Sequence, residues 1–169
     1  MKFRLFQAIL IAFLFTGCFS IRYDMKGGAD INPAIQTVSV QYFNNRATRV
    51  NPLLSQNFTD KLKQYLESNS RMRVINTVGD VDFSGEITGY DFKPQAISEG
   101  DIAAKTRFTI TFRVKYTNSV EPEKSFDTSF SRFRDYDSNL SFDDVEASLS
   151  EEIIEEIIEQ IFNRAFVNW

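Results

Sequence analysis

The sequence of 169 residues contains no histidine. Histidine is the commonest general base, the usual partner of a nucleophilic serine or cysteine, and the commonest zinc ligand. Its absence argues against most hydrolase and zinc-enzyme chemistries, although catalysis by carboxylates remains open in principle. The composition therefore predicts a protein without catalytic residues, metal or soluble cofactor.

Cysteine occurs once, at Cys18. A single cysteine cannot form a disulfide within the chain, so the fold must be stabilised by packing. Material for a core is abundant, because the sequence has 17 phenylalanines and aromatic side chains bury large apolar areas.

An excess of positive charge is also missing. Without the first 17 residues, which include Lys2 and Arg4, 17 basic and 23 acidic residues remain, a net charge of −6. Proteins that bind nucleic acids generally need a basic field to neutralise phosphates. We therefore predict no nucleic-acid partner.

The longest apolar run, residues 5–15, is too short to span a bilayer, which takes about twenty residues as a helix. Lys2 and Arg4 precede this run, and the small-residue segment Thr16–Cys18 follows it. A charged start, an apolar centre and a small-residue end are typical of a secretory signal peptide.

The end of this segment, Leu14–Cys18, resembles the lipobox of bacterial lipoproteins, with Phe15 where leucine is usual. We predict a signal peptide over residues 1–17 and a covalent lipid on Cys18, the first residue of the mature chain. The alternative is an ordinary signal peptide followed by an incidental cysteine.

Residues 18–33 include Gly27-Gly28 and Asn32-Pro33, which predict an extended, lipidated tether. Residues 34–169 have the length of a single domain. The domain begins with a strand, in which Val38, Val40 and Tyr42 form an apolar face of period two.

Two helices are predicted. Asn51 is suited to cap the first helix and Pro52 to begin it, while Ser141 is suited to cap a second helix that extends to Phe166. The apolar stripe of the first helix consists of Leu54, Phe58, Leu62, Tyr65 and Leu66. The stripe of the second is broad, which favours a globular core over a coiled coil.

Four strands are predicted between the helices, over residues 72–75, 81–94, 107–117 and 125–136. The apolar parity of the second changes along its length, which predicts a bulge at Gly89. The last two strands form a hairpin. The predicted fold is α+β, with two helices packed on one face of a mixed, mostly antiparallel sheet of four to five strands.

Charged side chains form two groups. The glutamates between Glu151 and Glu159 favour a solvated helix face over paired acid–base catalysts. A second group is basic and lies on two neighbouring strands, where it predicts a cationic stripe suited to phosphate groups. It comprises Arg107, Arg113, Lys115, Arg132 and Arg134. The alternative is cross-strand pairing with Asp127, Asp135 or Glu123.

Several segments together resemble the LptE family of lipopolysaccharide-assembly lipoproteins, in its branch outside the enterobacterial type. They are the signal sequence with Cys18, Thr37–Ala47, Val50–Pro52 with Leu54 and Phe58, Gly85–Tyr90 and Phe162–Trp169. The resemblance spans essentially the whole mature chain, and none of its segments is catalytic.

This resemblance implies an outer-membrane lipoprotein that lies in the lumen of the LptD β-barrel, as plug and assembly partner, and supports insertion of lipopolysaccharide into the outer leaflet. Phe19 is not the aspartate that retains some lipoproteins in the inner membrane, which fits anchoring on the periplasmic side of the outer membrane. The family binds lipopolysaccharide through basic residues, and the five named above are our candidates. The loops 95–104 and 118–123 are candidates for barrel contacts.

An alternative remains, a periplasmic lipoprotein that serves as a binding module of another envelope complex.

Overall fold

The structure, a computed structural model, describes residues 31–49, 51–95 and 104–167. The predicted signal peptide and the lipid anchor at Cys18 lie outside these residues, as does most of the loop 95–104. The elements in chain order are β1 (Thr37–Val40), β2 (Asn44–Asn45), α1 (Pro52–Asn69), β3 (Arg73–Ile75), β4 (Val81–Pro94), β5 (Lys105–Asn118), a short 3₁₀ helix (Pro122–Lys124), β6 (Phe126–Asp137) and α2 (Phe142–Phe166).

The strands form one mixed sheet in the order β3-β1-β4-β5-β6, with β2 beside β4. β1 runs parallel to both β3 and β4, whereas β4, β5 and β6 are antiparallel. Both helices contact the sheet, and α1 also contacts α2. The predicted fold class is confirmed, with a sheet of six strands in the described chain when the two-residue β2 is counted.

β5 lies inside the sheet and supplies much of the core. Its alternate side chains are fully buried or nearly so: Phe108, Ile110, Phe112, Val114 and Tyr116. The ring of Phe112 stacks on Phe58 of α1 with 3.9 Å between centroids. Period-two alternation therefore places all five side chains under the helices, as predicted.

Helix α1 begins as its sequence predicts. Asn51 is the N-cap, and its side-chain oxygen accepts a hydrogen bond from the N–H of Leu53 at 2.9 Å. Pro52 occupies the first turn, where it has no N–H to leave unpaired. Helix α2 differs, because Ser141 stands at the N-cap position but makes no capping hydrogen bond through its side chain. The position of the predicted cap is therefore correct, but the prediction that the Ser141 side chain caps the helix is wrong.

The predicted apolar face of the first strand is wrong at its end. Tyr42 is 54% exposed, whereas Phe43 is fully buried and packs edge-on against Phe58. β1 ends at Val40, so the alternation that would bury Tyr42 does not continue beyond it.

The long strand β4 has the bulge that its sequence predicts. Its pairing with β5 shifts between Ile87 and Gly89, so that Ile87 and Tyr90 are both buried. Without the extra residue at this point, the second half of the strand would turn its apolar side chains away from the helices.

The two hairpins of the sheet lie at opposite ends of β5. The β4–β5 connection follows Pro94, and the β5–β6 connection follows Asn118. Fourteen residues of β5 separate them, which corresponds to about 45 Å at 3.3 Å per residue.

No helix among the described residues combines the length and apolarity that a bilayer crossing requires.

Gly85 permits the close approach of β4 to its neighbours. A methyl group at this position would lie 2.1 Å from the carbonyl oxygen of Arg113 and 2.7 Å from the ring of Phe43. We expect Gly85→Ala to lower the free energy of unfolding by about 2–3 kcal/mol, since the backbone of β5 must move. Urea denaturation of the mature chain measures this.

The matched control is Ser84→Ala, one residue earlier on β4. Its effect should stay within about 0.5 kcal/mol, as for most surface substitutions. Equal stability of the two variants would contradict the close approach at Gly85.

Candidate functional site

The helices cover one face of the sheet and leave the other face open. On β5 the buried residues alternate with Arg107, Arg113 and Lys115, which therefore lie on the open face. Two of their direct neighbours on β6 are Asp135, opposite Arg107, and Asp127, opposite Lys115. Three of the five predicted basic residues are thus brought to one surface.

Arg113 forms a two-pronged ion pair with Asp127. Its Nε and Nη2 donate to the two carboxylate oxygens at 2.9 and 3.0 Å. The hydrogen bonds lower the pKa of Asp127 below its ordinary value. Both side chains remain about half exposed, 56% for Arg113 and 43% for Asp127, so the pair stays accessible to a ligand.

A shallow recess of about 350 Å³ opens beside this pair. It is lined by Ser84, Gly85, Glu86, Arg113, Lys115 and Asp127. Lys115 is exposed and forms no ion pair with any residue that the structure describes. Its ammonium is therefore available to a ligand without breaking an existing pair.

Arg107 occupies the other end of the open face. Its Nε and Nη2 each donate to Asp135 at 2.8 Å, and its guanidinium lies 3.6 Å from the centre of the Phe133 ring. The hydrogen bonds lower the pKa of Asp135. The predicted alternative, pairing with Asp127 and Asp135, is therefore confirmed for Arg113 and Arg107.

Arg132 and Arg134 lie on the opposite face, so the expectation of one five-residue stripe is wrong. In the pairing of β6 with β5 they stand opposite the buried Ile110 and Phe108. Their Nε atoms donate to Glu156 at 2.6 Å and to Glu152 at 2.8 Å, respectively. The shared parity of these arginines with Phe126 was the sequence signal for this placement.

The glutamates of α2 are accordingly more than a solvated face. Glu151 and Glu155 accept hydrogen bonds from Lys61 of α1 at 2.7 and 3.1 Å. Glu156 is held by Arg134 and Arg132, whose hydrogen bonds lower its pKa. Glu152 accepts a hydrogen bond from Arg134 in the same way. Four of the five predicted glutamates thus tie α2 to α1 and to β6, namely Glu151, Glu152, Glu155 and Glu156.

A polar cluster missed by the sequence reasoning joins three elements. The carboxylate of Glu146 on α2 accepts hydrogen bonds from the Asn51 side chain at 2.7 Å and from the hydroxyl of Tyr90. Burial, and then the bond to Glu146, raise the pKa of Tyr90. Asn51 also caps α1, so one carboxylate links the start of α1, the centre of β4 and the first turns of α2.

Metal binding has no support in this part of the chain, since residues 31–49, 51–95 and 104–167 hold no group of three or more candidate ligands.

Comparisons with known proteins extend this description. A family model described as LptE, lipopolysaccharide-assembly, matches residues 35–165. No curated protein sequence matches the chain. Solved structures with the same fold include a protein from Xanthomonas campestris, with a TM-score of 0.53 at 10% identity over 83% of this chain and 91% of that one.

Two further structures show the same fold. A protein from Chlamydia trachomatis has a TM-score of 0.51 at 10% identity, over 79% of this chain and 99% of that one. A homologue of a neuraminyllactose-binding hemagglutinin from Helicobacter pylori has a TM-score of 0.51 at 10% identity, over 80% and 86%. At such identities the likeness concerns the fold alone.

The Arg113–Asp127 pair yields a prediction about pH. Since the pKa of Asp127 is lowered by Arg113, the pair stabilises the fold at neutral pH and loses this effect as the pH falls through that pKa. In Arg113→Gln the pKa of Asp127 should rise toward its ordinary value. Carboxyl-detected NMR titration measures it.

The control is Lys115→Gln, which removes the other nearby cation but leaves the two hydrogen bonds of Arg113 in place. It should move the pKa of Asp127 less than Arg113→Gln does. A larger shift in the Lys115 variant would show that the hydrogen bonds are not the main cause.

Proposed function

The chain belongs to the LptE family of lipopolysaccharide-assembly proteins, and we propose that it is an outer-membrane lipoprotein that plugs and helps to assemble an LptD-type β-barrel. One observation carries this proposal: the family match extends over residues 35–165, from just before β1 to the last turn of α2. Membership of an assembly family agrees with the prediction that the protein has no catalytic role. It also confirms the prediction that the protein uses no cofactor.

The proposed anchor is the lipid on Cys18, inserted in the periplasmic leaflet of the outer membrane. The described chain begins at Ile31, beside Asn118, Glu121 and Phe166, and thus at the end of the sheet that carries the β5–β6 hairpin. The residues between Cys18 and Ile31 can span at most about 45 Å. A lipid held within this reach raises the effective concentration of the domain at a barrel in the same membrane.

As a plug, the domain would contact the barrel wall through polar, hydrated surfaces. The hairpins at residues 95–104 and 118–123 are separated by the length of β5, about 45 Å. The hydrocarbon core of a bilayer is only about 30 Å thick. A domain aligned with the barrel axis would therefore reach both membrane interfaces, with one hairpin at each.

The proposed lipopolysaccharide site is the open face of the sheet. Phosphate groups are bound well by guanidinium and ammonium groups, and Arg107, Arg113 and Lys115 line this face. Lys115 is available at once, while Arg113 would exchange Asp127 for a phosphate. Arg132 and Arg134 contribute less in this proposal, because Glu152 and Glu156 already bind them on the covered face.

Depletion of the protein tests the assembly role. We expect the large barrel protein to accumulate in a misassembled form and surface lipopolysaccharide to fall, and expression of the chain from a plasmid should restore both. Normal barrel assembly and normal surface lipopolysaccharide after depletion would contradict the proposal. Affinity purification that recovers other envelope proteins, without a barrel, would favour the alternative of a binding module in another complex.

Charge reversal tests the lipopolysaccharide site. Arg113→Glu and Lys115→Glu should each weaken binding of purified lipopolysaccharide by about ten- to hundredfold, because an ionic hydrogen bond contributes about 1.5–3 kcal/mol. Titration with fluorescent lipopolysaccharide measures the affinity.

The control, Lys63→Glu, makes the same change of charge on α1, away from the open face. Binding unchanged in both test variants, or weakened equally in the control, would remove this site.

A further inference from the structure

The strand β6 is an edge of the sheet along its whole length. All twelve of its residues pair with β5 without a bulge, and no described residue pairs with its other side. Helix α2 packs on the face of the sheet, where its carboxylates meet Arg132 and Arg134, and leaves the edge itself uncovered.

The pairing also identifies which backbone groups face outward. The N–H of Ser138 donates to the carbonyl of Ala104 at 3.0 Å, in the same alignment that pairs Lys105 with Asp137. In an antiparallel pair, alternate residues direct their N–H and C=O groups to the partner strand. The even-numbered residues of β6 therefore bond to β5. The odd-numbered ones, from Asp127 to Asp137, direct theirs away from the sheet.

Edges of this kind are usually protected, since they can template pairing with another chain. Arg132 and Arg134 protect the second half of β6, because charges on the covered face of an edge strand oppose an added strand. The first half, Phe126–Ser131, carries no charged side chain of its own on the covered face, although the guanidinium of Arg164 from α2 lies 5.7 Å from the centre of the Phe126 ring there. It also has neither a proline nor a bulge, and the charge of Asp127 is held by Arg113.

The side chains of this first half suit an added strand. Phe126 and Phe130 are only partly buried and lie 6.2 Å apart between ring centres on the covered face. Between and beyond them are the small side chains of Thr128, Ser129 and Ser131, which allow another backbone to approach. A neighbouring strand with apolar side chains on the helix side would complete the burial of both rings.

We infer that residues 126–131 of β6 bind an extended segment of the partner barrel protein by strand addition. The bound segment would exchange backbone hydrogen bonds with Asp127 and Ser129, and would place an apolar side chain against Phe126 and Phe130. At Ser131 it would accept from the N–H alone, because the C=O of Ser131 already accepts a hydrogen bond from Nη1 of Arg132 at 2.9 Å. The inference rests on the proposed function, since the barrel supplies the strand.

Amide hydrogen exchange tests the inference residue by residue. The mature chain is compared with the complex purified through a tag on this chain, and exchange is read by mass spectrometry with electron-transfer fragmentation. In the isolated chain the amides of residues 128 and 130 should be protected and those of 127, 129 and 131 should exchange fast. In the complex the latter three should slow at least tenfold.

A substitution adds an independent measurement. Ser129→Pro removes an outward N–H without removing a bond to β5, and prolines are tolerated at such positions. It should reduce recovery of the barrel about tenfold, whereas Ser129→Ala, which keeps the N–H, should leave recovery unchanged. Thermal unfolding shows whether the proline variant folds, and if it does not, the exchange experiment alone decides.

The outcomes separate the two proposals. A recovered barrel with residues 127, 129 and 131 still unprotected overturns strand addition and leaves the proposed function standing. Protection of these amides in the isolated chain also overturns it, because the chain itself or a second copy then occupies the edge, and sedimentation distinguishes these. Failure to recover any barrel overturns both.

Discussion

Burial of one face of β5 is the constraint on which the other features of this protein depend. Side chains of a strand alternate between the two faces. Once Phe108, Phe112 and Tyr116 are buried under the helices, Arg107, Arg113 and Lys115 must face the opposite way. The core and the candidate ligand surface are therefore two consequences of one alternating sequence.

The same constraint governs the edge strand. β6 pairs with β5 residue for residue, so its own alternation follows that of β5 and sets Arg132 and Arg134 on the covered face. There they bind carboxylates of α2 and so attach this helix to the edge strand. A pattern that looked like one basic stripe is thus divided between a proposed ligand surface on the open face and the attachment of a helix on the other.

The family match and the structure contribute different parts of the functional account. The match assigns the chain to a family of lipopolysaccharide-assembly proteins, but the fold also occurs in proteins with about 10% identity and does not by itself define a function. The structure adds the surfaces on which we propose that a ligand and a partner bind. The open face offers cations in a shallow recess, and the first half of β6 offers unpaired backbone groups beside two partly exposed rings.

Local sequence determined the elements of this protein. The alternation along β5, the Asn51-Pro52 start of α1, and the change of parity at Gly89 each depend on neighbours within a few residues, and each is present in the structure. Only the tertiary structure decided the rest: Phe43 in place of Tyr42 in the core, the division of the five basic residues, and Glu146 between Asn51 and Tyr90. These depend on contacts between residues as many as 95 positions apart. A periodic pattern determines which way a side chain points but not which distant partner it meets.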